Sequence, residues 1–234
     1  MLFFAAICHT APAAERLSPL LIPLREAVYE QKLTADEVRP LYLAAKAAVT
    51  GHYYGATRYI ALSRCEYFMG RVLQFEKRNS EAATHYAEGL RLAETALEIA
   101  PSAGAWVMMA ENLSQSCVVR SNAFAMRHGL NVERYAKNAL AIDRRNAAAQ
   151  YIVAARWVYA PSPFNNLRRG IEMMKAVITE GDMDKDDRFN VYSAIGYAYI
   201  KQRRHTDARP WLQKSLEIYP SNQFAAELLT NTGR

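Results

Sequence analysis

Residues 190–220, NVYSAIGYAYIKQRRHTDARPWLQKSLEIYP, decide the fold of this chain. Small residues at Gly196 and Ala208 allow two helices to approach closely, and Pro220 cannot continue a helix. Apolar residues recur at three- and four-residue spacing, which places them on one face of a helix: Tyr192, Ile195 and Tyr199, then Leu212. The segment therefore predicts two helices that pack against each other.

This pattern resembles the tetratricopeptide repeat, in which aromatic-x2-Leu-Gly-x2-Tyr on a first helix is followed by Ala-x3-aromatic on a second helix and then by Pro. Looser copies of the first-helix pattern precede it in the sequence: Met69, Gly70 and Leu73; Trp106, Met109, Ala110 and Leu113; and Tyr151, Ala154 and Trp157. Glu66 departs from the family, because it stands where the first copy should have an aromatic residue. The resemblance covers about residues 58–229 and implies an array of helix pairs.

The repeat spacing is longer than the family standard. From Ala139 to Val177 to Ser215 the period is 38 residues, against roughly 34 for a standard repeat. The sequence predicts elongated helices at about 80–99 and 103–127. It also predicts a stiff loop between paired helices at 160–164. We therefore predict an all-α fold, an α-solenoid of antiparallel helix pairs with elongated helices.

The chain is organised in three parts by this interpretation. Hydrophobic residues make up 51% of its 234 residues, which supports a packed core and argues against disorder. Residues 1–14 are predicted to be a signal peptide, 15–55 to form N-terminal helices that pack on the array, and 56–234 to form the repeat domain, with about four helix pairs and a C-terminal capping helix. Thr34 and Glu37 have the spacing of a capping box at the start of a helix.

The N-terminal residues predict export. An apolar run over residues 2–7 is followed by Ala11-Pro12-Ala13, the small-x-small spacing of a signal-peptidase site, although no basic residue precedes the run. A lipid attachment at Cys8 is disfavoured because Ile7 before it is large. We predict a periplasmic or otherwise exported protein, with a cytoplasmic location as the alternative. No apolar stretch reaches the length of a membrane span, so membrane contact is expected to be peripheral at most.

Charge gives little support for a nucleic-acid partner. The formal net charge is +6. The basic pairs Arg144-Arg145, Arg168-Arg169 and Arg203-Arg204 are dispersed, and no stripe of basic residues alternates with aromatics. Basic side chains also favour helix C-termini, which accounts for such pairs without a ligand. We expect no nucleic-acid partner.

The sequence contains no recognisable catalytic, metal or cofactor motif. The histidines lack zinc-site spacing, so they are predicted to be surface or capping residues: His52, His85, His128 and His205. Asp182, Asp184 and Asp186 begin like a calcium loop, but the glycine and the final acidic residue of that loop are missing. These aspartates are predicted to cap a helix. Cys65 and Cys117 are predicted to be buried, inert thiols.

The family resemblance implies a concave groove lined by first-helix side chains. Carried onto this sequence, the groove positions are Arg64, Tyr67, Arg71, Gln74, Glu111, Gln115, Tyr151, Tyr159, Asn190, Ser193, Tyr197 and Lys201. Tyrosines mixed with amides and a few charges suit an amphipathic peptide or an apolar ligand. The carboxylate clamp of chaperone-binding members is not reproduced, because Tyr151, Ser193 and Tyr197 occupy its positions.

The functional prediction is a non-enzymatic, exported scaffold or assembly factor that holds a protein or peptide segment in this groove. The alternative is a periplasmic subunit that holds a small apolar molecule, because the long helices and the loop at 160–164 are loosely similar to the T-component proteins of TRAP-type transporters. An open cradle would favour the scaffold, and a closed pore would favour the ligand-binding subunit. An enzyme would need a titratable cluster drawn from distant helices, such as Glu111 with Arg71 or Tyr151.

Overall fold

The computed structural model describes residues 18–233, which form an all-α structure. Among these residues there are eleven α-helices and no strand: α1 Ile22–Glu30, α2 Ala35–His52, α3 Gly55–Phe75, α4 Asn79–Ile99, α5 Ala103–Val119, α6 Asn122–Ile142, α7 Ala147–Tyr159, α8 Leu167–Glu180, α9 Lys185–Lys201, α10 His205–Ile218 and α11 Gln223–Thr230. The all-α solenoid of helix pairs is confirmed, as is the elongated helix predicted at 80–99. The predicted signal peptide lies outside the described residues.

Short polar side chains fix where several helices begin. The Thr34 hydroxyl accepts from the backbone N–H of Glu37, whose carboxylate accepts from the backbone of Thr34, so the predicted capping box is confirmed. Asp184 and Asp187 form a second capping box at the start of α9. The predicted capping role is confirmed for Asp184, whereas Asp186 is buried and accepts a hydrogen bond from the Tyr219 hydroxyl at 2.9 Å.

Two predicted boundaries are wrong. The helix predicted at 103–127 ends at Val119, because Ser121 stops it and caps a new helix by accepting from the backbone N–H of Phe124. The sequence also predicts a loop over residues 51–55, where two glycines flank two aromatic residues, but α2 continues to His52 and leaves only Tyr53 and Tyr54 between helices.

The helices form two layers. Each helix from α2 onwards packs against the next one, and the odd-numbered helices α3, α5, α7 and α9 also pack against one another in sequence. Small residues permit the close pairing: a Cβ on Gly196 of α9 would lie 2.6 Å from the Leu212 side chain of α10. The odd-numbered helices therefore form an inner layer, and the even-numbered helices cover it from outside.

The N-terminal helix α1 closes the array into a ring. It packs against α3 on one side. On its other side Tyr29 stacks on Tyr219, with ring centroids 4.8 Å apart, and meets Phe189 of α9 edge-on. Polar contacts reinforce this junction: Lys185 Nζ lies 2.7 Å from Glu26 Oε2. The inner layer is thus a closed ring of five helices, α1, α3, α5, α7 and α9.

Candidate ligand-binding lumen

The inner ring surrounds a lumen whose wall carries most of the predicted groove residues. The side chains occupy three levels along the ring axis. The lower level holds Arg64, Glu111 and the start of α9, the middle level holds Tyr29, Tyr67 and Tyr151, and the upper level holds Arg71, Tyr159 and Tyr197. Side chains are assigned to the same level because they contact one another, or affect one another's pKa, across neighbouring inner helices.

The lower level is a group of largely buried, incompletely paired charges. Arg64 Nη2 lies 3.8 Å from Glu111 Oε2, a loose ion pair with both side chains largely buried. Burial raises the pKa of the Glu111 carboxyl, and Arg64 only partly offsets it. Burial and the neighbouring Asp184 raise the pKa of Asp187 well above its usual range. Several acids thus share one arginine at this level.

The middle level is aromatic. Tyr67 is buried and its hydroxyl accepts from Arg71 Nη1 at 2.9 Å. Burial and the nearby Tyr67 raise the pKa of Tyr151 to about 12, so both phenols are neutral at physiological pH. The amide of Asn190 donates to the Tyr29 hydroxyl at 3.2 Å and so helps to hold α1 against α9.

The upper level surrounds the mouth of the lumen. Tyr159 and Tyr197 stack with ring centroids 5.2 Å apart, and Tyr159 remains 43% exposed. Arg71 lies over the ring of Phe75, and in the part of the chain that the structure describes it has no carboxylate partner. Lys201 is exposed, with its ammonium 6.0 Å from the Tyr197 ring centroid.

The remaining predicted groove residues occupy different environments. Gln74 accepts from the Tyr86 hydroxyl at 2.6 Å, so its amide oxygen is already used by the outer layer. Ser193 is buried rather than accessible, and its hydroxyl has no hydrogen-bond partner within residues 18–233. Gln115 is half-buried on α5.

Helix geometry limits the width of the lumen. An ideal ring of five helices with axes about 9 Å apart, each about 10 Å wide with its side chains, would enclose a channel on the order of 6 Å across. A helical ligand needs a diameter of roughly 10–12 Å and is too wide. An extended chain end or a slender small molecule has the dimensions to enter.

The sequence analysis did not predict a buried charge network that joins α3 to the outer helices α2 and α4. Glu66 is 2% exposed, and it accepts from the Tyr42 hydroxyl at 2.7 Å and from Lys46 Nζ at 2.6 Å. Its other oxygen lies 2.7 Å from His85 Nδ1, so the prediction of a surface or capping role is wrong for His85. Burial alone would raise the pKa of Glu66, but the hydrogen bonds outweigh it and lower the pKa. The departure of Glu66 from the repeat pattern was the available signal.

Few other features of the described residues suggest chemistry. They include no group of three or more His, Cys, Asp or Glu side chains arranged to hold a metal ion. No helix among them is long and apolar enough to span a membrane. Cys65 is buried, and burial raises the pKa of its thiol to about 12, whereas Cys117 is only half-buried; both are free.

Comparison with known proteins identifies the α9–α10 pair. Residues 189–222 match the family model of the tetratricopeptide repeat. This helix pair is therefore similar to a tetratricopeptide repeat. The match starts on α9 and ends just beyond α10, so it covers the pair from which the fold was predicted. Tetratricopeptide proteins characteristically use their concave surface for binding.

Two solved structures align with most of this chain at low sequence identity. YrrB, described as a TPR protein with an unusual peptide-binding site, aligns with 14% identity and a TM-score of 0.38 over 92% of each chain. The Cut9–Hcn1 hetero-tetramer of the APC/C aligns with 14% identity and a TM-score of 0.32, over 92% of this chain and 48% of that one. Comparison with curated protein sequences gives no match.

Proposed function

We propose that this tetratricopeptide protein is a non-enzymatic binding protein, a scaffold or assembly factor, whose partner inserts an extended peptide end into the lumen. Because the inner ring is closed by α1, a segment in the middle of a chain has no lateral entrance. The narrow channel disfavours a helical ligand, so the extended mode of peptide recognition is the better match.

One observation carries this proposal: polar side chains on the lumen wall have unused hydrogen-bonding capacity. Arg71 uses one donor, to Tyr67, and Glu111 Oε2 has no hydrogen-bond partner within the described residues. Arg64 pairs only loosely with Glu111. Burying polar groups of this kind without hydrogen-bond partners costs free energy. A peptide backbone offers both the donors and the acceptors that would pair with them.

A peptide selection would test the proposal. Peptides with free ends would be selected from a random library on the wild-type protein, and their affinities measured by fluorescence anisotropy. Arg71→Leu should weaken binding about tenfold or more, because a hydrogen bond to a charged group contributes about 1.5–3 kcal/mol. Arg91→Leu is the matched control, since Arg91 pairs with Glu88 on the outer face of α4. Equal affinities for both variants would contradict binding in the lumen.

A second candidate is a subunit that holds a small apolar molecule, as the resemblance to TRAP-type T components implies. The closure of the ring by α1 favours it, because a closed, tyrosine-lined channel suits a slender apolar ligand. Mass spectrometry of an organic extract of the purified protein would decide. An apolar molecule recovered from the wild type but not from a Tyr151→Lys variant supports this candidate, and an empty extract from both counts against it.

Export also remains a proposal, and it rests on the N-terminal sequence pattern. Expression of the full chain in a bacterial host should yield a mature protein in the periplasmic fraction that begins close after Ala13. N-terminal sequencing that finds Met1 on protein in the cytoplasmic fraction would favour the cytoplasmic alternative.

A further inference from the structure

One edge of the ring differs from the other in charge. Because consecutive helices run antiparallel, the turns that follow α3, α5, α7 and α9 all lie on the same edge, which we call the turn edge. Arg71, Tyr159 and Tyr197 come together at the lumen mouth and are each near the end of their helix. The ends of α3, α7 and α9 therefore lie around the same end of the lumen.

The turn edge is strongly basic. Residues 75–79, 119–122, 159–169 and 201–205 contain eight Lys or Arg residues and one acidic residue, Glu76. On the opposite edge, residues 52–55, 99–103, 142–147, 180–185 and 218–223 contain three basic and four acidic residues. The excess positive charge of the chain is thus concentrated on one side of the ring.

Many of these charges are free to meet a partner. Arg120, Arg168 and Arg203 form no ion pair with any of residues 18–233. Arg120 and Arg168 are exposed. Arg78 and Arg204 are already paired, with Glu81 and Asp207 respectively. The turn edge therefore retains positive charge after its internal pairs are formed.

Large apolar side chains project between these arginines. Phe164, in the loop between α7 and α8, is 69% exposed, and Val118, at the end of α5, is 64% exposed. Phe75 at the end of α3 and Met126 on the first turns of α6 are exposed as well. Exposed apolar residues among basic ones are the composition of surfaces that insert shallowly into a bilayer interface.

We propose that the turn edge docks onto an anionic lipid surface. The arginines are attracted to acidic headgroups, and Phe164 and Val118 enter the boundary between headgroups and acyl chains. The turns after α3, α5, α7 and α9 share one edge, so several of them can reach the bilayer together. A nucleic acid is the less suitable partner, because the apolar side chains project singly and do not form a stacking surface along a basic groove.

Vesicle co-sedimentation would test this proposal. Wild-type protein would be mixed with vesicles of phosphatidylcholine alone or of phosphatidylcholine with phosphatidylglycerol. The test variant is Arg120→Gln/Arg168→Gln. The matched control is Arg144→Gln/Arg145→Gln, which removes the same charge from two exposed arginines on the opposite edge. Circular dichroism melting would verify that both variants are folded.

We expect binding only to vesicles that contain phosphatidylglycerol, and weaker binding in high salt because the interaction is screened. The test variant should lose about 30-fold in partition coefficient, since each arginine near an anionic surface contributes a factor of about five. The control should stay within about twofold of the wild type, because Arg144 and Arg145 lie on the far edge. Absence of wild-type binding, or equal losses in the two variants, would overturn the proposal.

A second pair of variants tests the apolar contribution. Phe164→Ser should reduce partition roughly tenfold by removing a side chain that enters the interface. Ile142→Ser, at an exposed position on the opposite edge, should leave partition unchanged. Competition by a short RNA that abolishes vesicle binding of the wild type and is itself lost in Arg120→Gln/Arg168→Gln would assign the edge to nucleic acid instead.

Discussion

Two glutamates on neighbouring inner helices show how differently the two sides of the ring use a buried charge. Glu66 on α3 faces the outer layer, where Tyr42, Lys46 and His85 satisfy both its oxygens and its pKa is lowered. Glu111 on α5 faces the lumen, where burial raises its pKa and one oxygen lacks a hydrogen bond among the described residues. A complete network of this kind fixes structure, whereas an incomplete one leaves capacity for a ligand.

The largest expected effect comes from breaking the complete network. Glu66→Ala should lower the free energy of unfolding by about 3 kcal/mol or more, because it leaves Lys46 and His85 without their buried partner. Urea denaturation monitored by circular dichroism would measure it. Glu88→Ala is the control: its pair with Arg91 is largely exposed, so the loss should stay below about 1 kcal/mol. Equal losses would contradict the account of Glu66.

An intermediate effect on the free energy of unfolding is expected when the same change is made at two tyrosines, one in each environment. Tyr42→Phe removes a buried hydrogen bond to the Glu66 carboxylate and should cost about 1.5–3 kcal/mol. Tyr151→Phe on the lumen wall should change stability by no more than about 0.5 kcal/mol. The same urea titration serves for both variants. A loss for Tyr151→Phe as large as that for Tyr42→Phe would mean that the lumen wall is as fully bonded as the outer network.

The smallest effect concerns pH. The raised pKa of Glu111 means that the folded state holds its proton more tightly than the unfolded state does, so this residue opposes folding as pH rises through its folded pKa. Glu111→Gln should therefore be more stable than the wild type at neutral pH and within about 0.5 kcal/mol of it in acid, where the carboxyl is protonated. Unfolding midpoints measured across pH would reveal a variant that is instead less stable at neutral pH.

Glu66 should have the opposite pH dependence. Its pKa is lowered on folding, so its contribution is present above the unfolded value, about 4.3, and is lost as pH falls through the folded value. Glu66→Gln should accordingly flatten the acid side of the stability profile and leave the slope near neutral pH unchanged. A flattened neutral slope in Glu66→Gln would contradict the assignment of the two glutamates.

Local sequence signals predicted the helix pairs well, because spacing and capping act over a few residues. Gly196 with Leu212 and Thr34 with Glu37 are examples of such signals. The break at Ser121 was missed, since the apolar pattern continues across it and only the serine marks the new cap. The closure by α1 depends on Tyr29 meeting Tyr219, a contact across most of the chain that no local pattern records. For the same reason the sequence does not decide between an open cradle and a closed pore, although it names the groove residues by position.

The most direct test of the account is a carboxyl NMR titration of Glu66 and Glu111 in the folded protein, with each resonance assigned by its Gln variant. We predict that Glu66 titrates below the ordinary glutamate value and Glu111 above it. Addition of a selected peptide should move the Glu111 titration and leave that of Glu66 unchanged. If Glu111 titrates at or below the value of Glu66, the lumen wall is already satisfied, and the argument that it awaits a ligand is contradicted.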